Sequence, residues 1–205
     1  QMCIRDRSNT QAGIAVGCRG TAERCRAVGN GGPGLVLEDD CVLRCSTAVQ
    51  NGQAGIVAGN GCRIVECSAG GNVGSGIDAG SNCLVASSAA ATNGVNGIYL
   101  AGGGEVDQCV AEANGSEGIH LESGCRVYGS SALSNVSDGI HLESGYRVGY
   151  TVAGCNGSSG IRINGRNNLV RRCSGLENGH SGINLGSGSA YNRIEENHLA
   201  DNVYG

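Results

Sequence analysis

The stretch GIHLESGCRVYGSSALSNVSDGI, residues 118–140, contains one complete 21-residue unit and the start of the next. Its opening Gly-Ile step, replaced once by Gly-Leu, recurs along the chain at a fixed spacing of 21 residues, with a single step of 22. The glycines of these nine steps are Gly13, Gly34, Gly55, Gly76, Gly97, Gly118, Gly139, Gly160 and Gly182. Such a period is the sequence signature of a solenoid, in which each coil packs on its neighbours.

Apolar residues occupy fixed positions in every unit, when the Gly is counted as position 1. Position 2 is Ile or Leu and position 4 is apolar in all nine units, which is the period-two alternation of a strand. Position 10 is also apolar, and position 15 is Ala in seven consecutive units. The pattern predicts strands at positions 1–5, 8–10 and 12–15, stacked about 4.8 Å apart in three parallel sheets.

A second fixed feature is Asn at position 18. The column consists of Asn9, Asn30, Asn51, Asn72, Asn93, Asn114, Asn135, Asn156, Asn178 and Asn202. Stacked Asn amides can hydrogen-bond to one another, and Asn tolerates the left-handed backbone of a sharp corner. The column therefore predicts an amide ladder at one corner of the solenoid.

Together these features resemble the coils of right-handed parallel β-helix repeat proteins, which have the pectin-lyase-like fold. The resemblance covers about residues 8–205 and implies an all-β, right-handed, single-stranded parallel β-helix of about nine 21-residue coils. Its right-handedness follows from the resemblance alone. The family includes polysaccharide lyases, hydrolases and epimerases, phage tailspikes and adhesins, so the resemblance favours export or a surface location.

Composition excludes several classes of partner. The chain has 38 Gly among 205 residues, no Phe or Trp, 14 basic residues that are all Arg, and a net charge of −4. The sequence contains no basic run and no basic-aromatic stripe, the features that would suggest nucleic-acid binding. No apolar window is long enough to span a membrane.

The ends of the sequence depart from the repeat. Residues 1–7 do not follow the pattern, contain no signal peptide and place Asp6 where later units have Ala. We interpret residues 1–7 as a leader, either a cloning or assembly artefact or a genuine cap, and 8–205 as a repeat domain cut at both ends. Exposed sheet edges at such ends would favour end-to-end self-association.

Twelve cysteines invite a disulfide or zinc interpretation. Eight of them fall in the inward columns at positions 8 and 13, namely Cys25, Cys41, Cys62, Cys67, Cys83, Cys109, Cys125 and Cys173. Because free Cys packs as a small hydrophobe, we expect a stacked ladder of thiols. Disulfides between coils and a zinc site remain alternatives.

The outward side of the first strand changes character along the chain. Position 3 reads Ala15, Val36, Val57, Asp78, Tyr99, His120, His141, Arg162 and Asn184. Position 5 adds Glu122, Glu143 and Asn164 beside the later members. A solvated polar face, a polysaccharide groove and a metal site formed by His120, His141, Glu122 and Glu143 are three explanations of this patch.

The groove hypothesis assigns roles to individual residues. Tyr99 would stack on a sugar, while Arg162 and Asn164 would bind the substrate, with the guanidinium pairing a uronate carboxylate. Acid-base candidates are Glu122, Glu143, Asp78, His120 and His141. The metal hypothesis is disfavoured because a flat exposed face supplies no second shell of ligand-orienting groups.

We expect a non-catalytic, extracellular or surface scaffold or adhesion-type module with weak polysaccharide contact. The alternative is a lyase, glycoside hydrolase or epimerase acting on the same face. Catalysis is disfavoured because an open ladder does not separate the pKa values of Glu122 and Glu143, and no insertion walls off a groove. We expect no cofactor, with calcium at the acidic turn Glu38, Asp39 and Asp40 as an alternative.

Overall fold

The strands of the protein repeat in groups of three, and every third strand belongs to the same sheet. The computed structural model describes residues 5–204, which form 28 short strands, β1–β28 in chain order. None of these residues forms a helix, so the described part of the chain contains no helix that could cross a membrane. All strand pairs are parallel, and the coils form a right-handed β-solenoid of about nine turns with a spacing of about 21 residues, as predicted.

The three sheets are numbered by their order within a coil. Sheet 1 contains β2 (Ile14–Val16), β5 (Leu35–Leu37), β8 (Ile56–Ala58), β11 (Ile77–Ser81), β14 (Ile98–Gly102), β17 (Ile119–Ser123), β20 (Ile140–Ser144), β23 (Ile161–Ile163) and β26 (Ile183–Leu185). Sheet 2 contains β3 (Thr21–Glu23), β6 (Val42–Arg44), β9 (Arg63–Val65), β12 (Leu84–Ala86), β15 (Glu105–Asp107), β18 (Arg126–Tyr128), β21 (Arg147–Gly149), β24 (Leu169–Arg171) and β27 (Arg193–Glu195). Sheet 3 contains β1 (Arg5–Arg7), β4 (Arg26–Val28), β7 (Thr47–Val49), β10 (Ser68–Gly70), β13 (Ala89–Ala91), β16 (Val110–Glu112), β19 (Ser131–Leu133), β22 (Val152–Gly154), β25 (Ser174–Leu176) and β28 (His198–Ala200).

Like positions of neighbouring coils lie side by side. Ile119 pairs with Ile140, and His120 pairs with His141, in the ladder between β17 and β20. The second and third strands begin slightly later than predicted, at positions 9–11 and 14–16 in most coils, as in β6 and β7. The shift leaves the predicted inward positions at the centres of these strands.

The core is a stack of small and branched side chains. Position 2 is fully buried through most of the chain, and the eight inward cysteines are all buried, as their columns predict. The eleven cysteines among the described residues are unpaired. The largest buried side chain is Tyr146, whose hydroxyl donates to the carbonyl of Leu121 at 2.7 Å and so is satisfied.

Glycine is required at position 1 because the chain passes too close to its neighbours there. A Cβ at Gly118 would lie 2.5 Å from Asn135 Nδ2 and 2.7 Å from the carbonyl oxygen of Gly139. The first of these atoms belongs to the Asn column and the second to the next coil's backbone. Because the Asn side chain and the next coil's backbone fill the space beside position 1, only Gly fits there.

The Asn column forms the predicted ladder. Asn114 Nδ2 donates to Asn135 Oδ1 at 2.9 Å and also to the carbonyl oxygen of Ala90 at 3.1 Å. The expectation of a left-handed backbone at the ladder residues is wrong. The positive φ falls one residue earlier, at Gln50 (56°) before Asn51 for example, because the corner turns before the Asn side chain enters the core.

Part of the predicted leader joins the solenoid. Strand β1, Arg5–Arg7, pairs with β4, and Asp6 lies opposite Ala27, as the repeat projection predicts. Residues 1–4 of the predicted leader lie outside the described residues. The origin and boundary of the leader remain predictions.

Candidate functional site

Sheet 1 carries a column of polar side chains on its outer surface. Tyr99, His120, His141 and Arg162 occupy equivalent places on four successive strands, β14, β17, β20 and β23. The ring centroids of Tyr99 and His120 are 5.5 Å apart, and those of His120 and His141 are 4.9 Å apart. The parallel register thus converts a single position of the repeat into a continuous row of functional groups.

Glu117 lies against both histidines. It precedes the Gly step of its coil, and its Oε2 is 4.0 Å from His120 Nδ1 while its Oε1 is 3.8 Å from His141 Nδ1. The three side chains are mostly covered, with exposed fractions of 18% for Glu117, 26% for His120 and 15% for His141. We call this group the His-Glu cluster.

Local contacts fix the carboxylate of Glu117. The Ser116 hydroxyl donates to Glu117 Oε2 at 2.5 Å, and the Glu117 amide donates to Asn96 Oδ1 at 3.2 Å. The neighbouring His141, helped by Ser116, lowers the pKa of Glu117 to about 2 against the effect of burial. Burial, and then the nearby His141, lower the pKa of His120, which Glu117 opposes.

The other side of the His141 ring faces the next coil. Asn164 Nδ2 lies 2.9 Å from His141 Nε2, and Arg162 Nε donates to Asn164 Oδ1 at 3.1 Å. With Oδ1 engaged by Arg162, the amide nitrogen donates to Nε2, so the proton of a neutral His141 ring is on Nδ1. Glu143 Oε1 is also near, 3.8 Å from Nε2.

Arg162 is anchored by a buried acid. Its Nη1 is 3.8 Å from Asp138 Oδ2, and Asp138 is only 2% exposed. Asp138 Oδ1 accepts a hydrogen bond of 2.9 Å from the amide of Ser159. The guanidinium, with 44% of its side chain exposed, is held at the surface by a group that is not itself accessible.

Two further predicted residues, Glu122 and Asp78, lie next to Tyr99. The hydroxyl of Tyr99 donates to Glu122 Oε1, and this bond, followed by burial, raises the pKa of Tyr99 to about 12. Asp78 lies opposite Tyr99 in the ladder, and burial raises its pKa. Glu122 and Glu143 themselves are exposed.

The sequence therefore identifies most of the site and misses two acids, the half-buried Glu117 and the buried Asp138. Seven predicted residues lie together, namely Tyr99, His120, Glu122, His141, Glu143, Arg162 and Asn164, and the eighth, Asp78, lies next to Tyr99 on the neighbouring strand. Glu117 and Asp138 were missed because they occupy position 21, before the Gly step. That position becomes polar in the same coils as position 3, reading Asn96, Glu117 and Asp138, and this coincidence would have revealed them.

The outer face is also less open than the sequence suggests. The sequence disfavours a metal site on His120, His141, Glu122 and Glu143 for lack of ligand-orienting groups, whereas the structure places Asn164 and Glu143 beside His141 Nε2. Among residues 5–204, the one group of three or more side chains spaced to hold a metal is Glu117, His120 and His141. Glu122 and Glu143 are not part of it.

The acidic turn suggested for calcium uses its carboxylates internally. Glu38 Oε2 accepts from the amide of Cys18 at 2.9 Å, and Asp39 Oδ1 accepts from the amide of Asn60 at 2.7 Å. Asp40 lies 4.0 Å from Arg19. The three carboxylates thus have three different partners, and calcium here stays a sequence-based hypothesis.

Comparisons with known proteins support the architecture. The A-module of the Azotobacter vinelandii mannuronan C-5 epimerase AlgE4 has a TM-score of 0.79 and 16% identity, covering 87% of this chain and 59% of its own. The periplasmic alginate epimerase AlgG has a TM-score of 0.72 and 16% identity, with coverages of 85% and 50%. Pectate lyase Pel9A has a TM-score of 0.62 and 16% identity, with coverages of 84% and 55%.

These likenesses concern the fold, and the chain spans only 50% to 59% of the length of the three structures. No curated protein matches the sequence. The family model for the right-handed β-helix region matches residues 17–156, well over half of the chain. The chain therefore belongs to the right-handed β-helix family.

Proposed function

We propose that this chain is a polysaccharide-binding module of an exported or surface protein and that it holds an acidic glycan along the outer face of sheet 1. The observation that carries the proposal is the row of Tyr99, His120, His141 and Arg162 at one register position. Equivalent groups repeat once per coil, about 4.8 Å apart, which suits an extended polymer. No bound glycan is needed to create the row, because the fold sets it in advance.

Each end of the row contributes a different type of contact. Tyr99 offers an aromatic ring on which a sugar can stack. Arg162 offers an exposed guanidinium for a uronate carboxylate, and Asp138 fixes its direction from below. Between them, the more exposed ring of His120 supplies a polar contact for sugar hydroxyls.

The structural neighbours favour the same ligand class. Their names refer to mannuronan, alginate and pectate, which are polymers of uronic acids. The exposed guanidinium of Arg162, the last member of the row, also suits an acidic glycan. We therefore propose polyuronates as the first ligands to test.

We propose binding without turnover as the principal function. Glu122 and Glu143 are exposed, and no long insertion interrupts the 21-residue repeat to enclose a substrate. An exposed pair of carboxylates lacks the contrasting environments that give two acids different roles. The scaffold would then present the glycan rather than modify it.

One contact favours the enzyme alternative. The Tyr99 hydroxyl donates to Glu122, so a proton path leads from the row to an exposed carboxylate. Glu122, acting as the base through the Tyr99 hydroxyl, with Arg162 neutralising the uronate, would suit epimerisation or elimination at the carbon next to the carboxylate. This second function uses the binding row together with Glu122.

Affinity electrophoresis and calorimetry with mannuronan, alginate and polygalacturonate test the binding proposal. We expect Arg162→Ala to weaken binding about tenfold, because a charge-assisted contact contributes about 1.5–3 kcal/mol. Val36→Ala, at the same position of an early coil, is the matched control and should bind like the unmodified protein. Equal binding by both variants, or no binding to any polyuronate, would refute the proposal.

Product analysis separates binding from catalysis. Incubation with the same polymers should yield neither unsaturated ends, nor new reducing ends, nor epimerised residues detectable by NMR. If products form, the double variant Glu122→Ala and Glu143→Ala should abolish them. Products that survive in this variant would place the reaction elsewhere.

A further inference from the structure

We propose that Glu117, His120 and His141 bind one divalent transition-metal ion, for which zinc is the best match. The inference concerns a different ligand from the glycan and does not depend on glycan binding. It starts from the geometry of the His-Glu cluster, in which the ligand atoms lie within 4.8 Å of one another.

The donor set matches the chemistry of zinc. Two imidazole nitrogens and one carboxylate oxygen form the three-ligand set found in open zinc sites, with the fourth position left for water or another ligand. Calcium and magnesium prefer all-oxygen sites, so a site with two histidines discriminates against them. The cluster therefore indicates a borderline-soft ion rather than the hard ions common at acidic turns.

The separations are close to those of a bound site. Zinc bonds of about 2.0–2.1 Å in tetrahedral geometry place ligand atoms about 3.3 Å apart. In the cluster, Glu117 Oε2 is 4.0 Å from His120 Nδ1, Glu117 Oε1 is 3.8 Å from His141 Nδ1, and all ligand atoms lie within 4.8 Å of one another. The carboxylate must close by about half an ångström and the two rings by at most about 1.5 Å to reach the tetrahedral spacing. Side-chain rotations can supply these shifts, because the strand register already fixes the backbones of both histidines.

One candidate ligand atom makes no hydrogen bond in the structure described. Nδ1 of His141 is buried and has no hydrogen-bond partner among residues 5–204, although Glu117 lies 3.8 Å away. Buried polar atoms without partners are rare and costly in folded proteins. A metal ion between the ring and the carboxylate would satisfy this atom.

The surrounding residues hold the ligands in place. Ser116 and Asn96 fix Glu117 on one side, and Asn164 contacts the far nitrogen of His141. Metal-binding histidines almost always donate their second N–H to an outer acceptor. The Glu143 carboxylate, 3.8 Å from His141 Nε2, is the group that would take this part here.

Binding requires the ring proton of His141 to move. The metal takes the lone pair of Nδ1, so the proton now on Nδ1 moves to Nε2, and the ring stays neutral. Asn164 Nδ2 can no longer donate to Nε2, and the nearest acceptor is the Glu143 carboxylate, 3.8 Å away. A carboxylate at position 164 would accept the Nε2 proton better than Glu143, because the side chain of residue 164 already lies 2.9 Å from Nε2.

Isothermal titration of the full chain with zinc chloride tests the site. The protein is first treated with a chelator, and its accessible thiols are alkylated so that cysteines cannot bind zinc. We expect one zinc per chain, no competition from excess magnesium, and at least about tenfold weaker binding in Glu117→Gln and His141→Ala. His198→Ala, an exposed histidine in sheet 3, is the matched control and should bind normally.

A gain-of-function variant makes the test independent of folding defects. Asn164→Asp should bind zinc about tenfold more tightly, because it supplies the acceptor for Nε2–H. If His141→Ala loses its β-sheet circular dichroism, His120→Ala, with the more exposed ring, replaces it. Absence of zinc binding to the unmodified chain, or equal affinity in all these variants, would overturn the proposal.

The metal and glycan proposals fail separately. Glycan affinity is measured in the presence of chelator, and zinc affinity in the absence of glycan. Loss of zinc binding in Glu117→Gln with unchanged glycan affinity supports two ligands on one face. Glycan binding without any zinc binding to the unmodified chain would contradict only the metal proposal.

Discussion

Coils two and three, which begin at Gly34 and Gly55, share a fully buried aliphatic residue at position 2 with coils six and seven, which begin at Gly118 and Gly139, and have a different exterior. Inside, Leu35 and Ile56 are as fully buried as Ile119 and Ile140. Outside, the early coils carry Val36 and Val57, where the later ones carry His120 and His141. The packing at position 2 is therefore independent of the outward residues, so a site can be added to the scaffold without altering this part of the core.

The largest expected effect tests the shared interior. Ile56→Asp and Ile119→Asp should each cost more than about 4 kcal/mol, because a buried carboxylate in either coil has no partner. The two losses should be similar in chemical denaturation. Val57→Asp, which faces outward beside Ile56, should cost about 1 kcal/mol or less. A large difference between the two Ile variants would show that the halves are not equivalent inside.

The close approach at position 1 gives the next effect. Gly118→Ala should cost about 1–3 kcal/mol, because the new methyl group meets Asn135 and the backbone of the next coil. Gly17→Ala is the control, since a Cβ there would find only Glu38 Oε2 at 3.8 Å. Equal melting temperatures for the two variants would contradict the steric explanation of the Gly step.

The buried acid beneath the row distinguishes the two halves. Asp138→Asn should reduce stability by about 1 kcal/mol through the weakened contact with Arg162 and the amide of Ser159. It should also weaken polyuronate binding, though less than Arg162→Ala, since the guanidinium remains. Ala54 holds the same position in an early coil, and Ala54→Ser should leave glycan affinity unchanged. Tighter glycan binding in Asp138→Asn would show that Asp138 competes with the ligand.

The smallest effect concerns pH. Burial raises the pKa of Asp78 in the folded protein, so the unfolded chain ionises first, and stability is lost as the pH rises from about 4 through the folded pKa. Asp78→Asn removes this loss. It should raise the melting temperature slightly at pH 7 and leave it unchanged at pH 3. A variant that is less stable at pH 7 would mean that the ionised carboxylate has a stabilising partner.

The sequence alone predicts more of the core than of the site. Gly118, Ile119 and the Asn column repeat in every unit, so their environment can be inferred from one coil and applied to all. The outward residues can be placed on one face by the same logic, which is why His120 and His141 were found together. Periodicity predicts positions, and positions were sufficient for the fold.

Periodicity does not predict contacts between residues at different positions of the repeat. Glu117 reaches His141 across a coil boundary, from the residue before the Gly step, and its orientation depends on Ser116 and Asn96. The left-handed corner likewise falls at Gln50 rather than Asn51, because hydrogen bonding fixes the amide column and leaves the turn to its neighbour. Such details depend on side-chain rotamers and turn geometry, which a repeat pattern does not encode.

The imidazole signals of the protein provide the most direct test of the central claim that one half of sheet 1 carries the site. The chain has four histidines, of which His120 and His141 lie in the row and His198 lies on sheet 3. In ¹⁵N-correlated NMR spectra recorded with chelator, titration with an oligouronate should shift the ring resonances of His120 and His141 and leave those of His198 unchanged. Binding that moves His198, or that leaves both histidines of the row unmoved, would contradict the account.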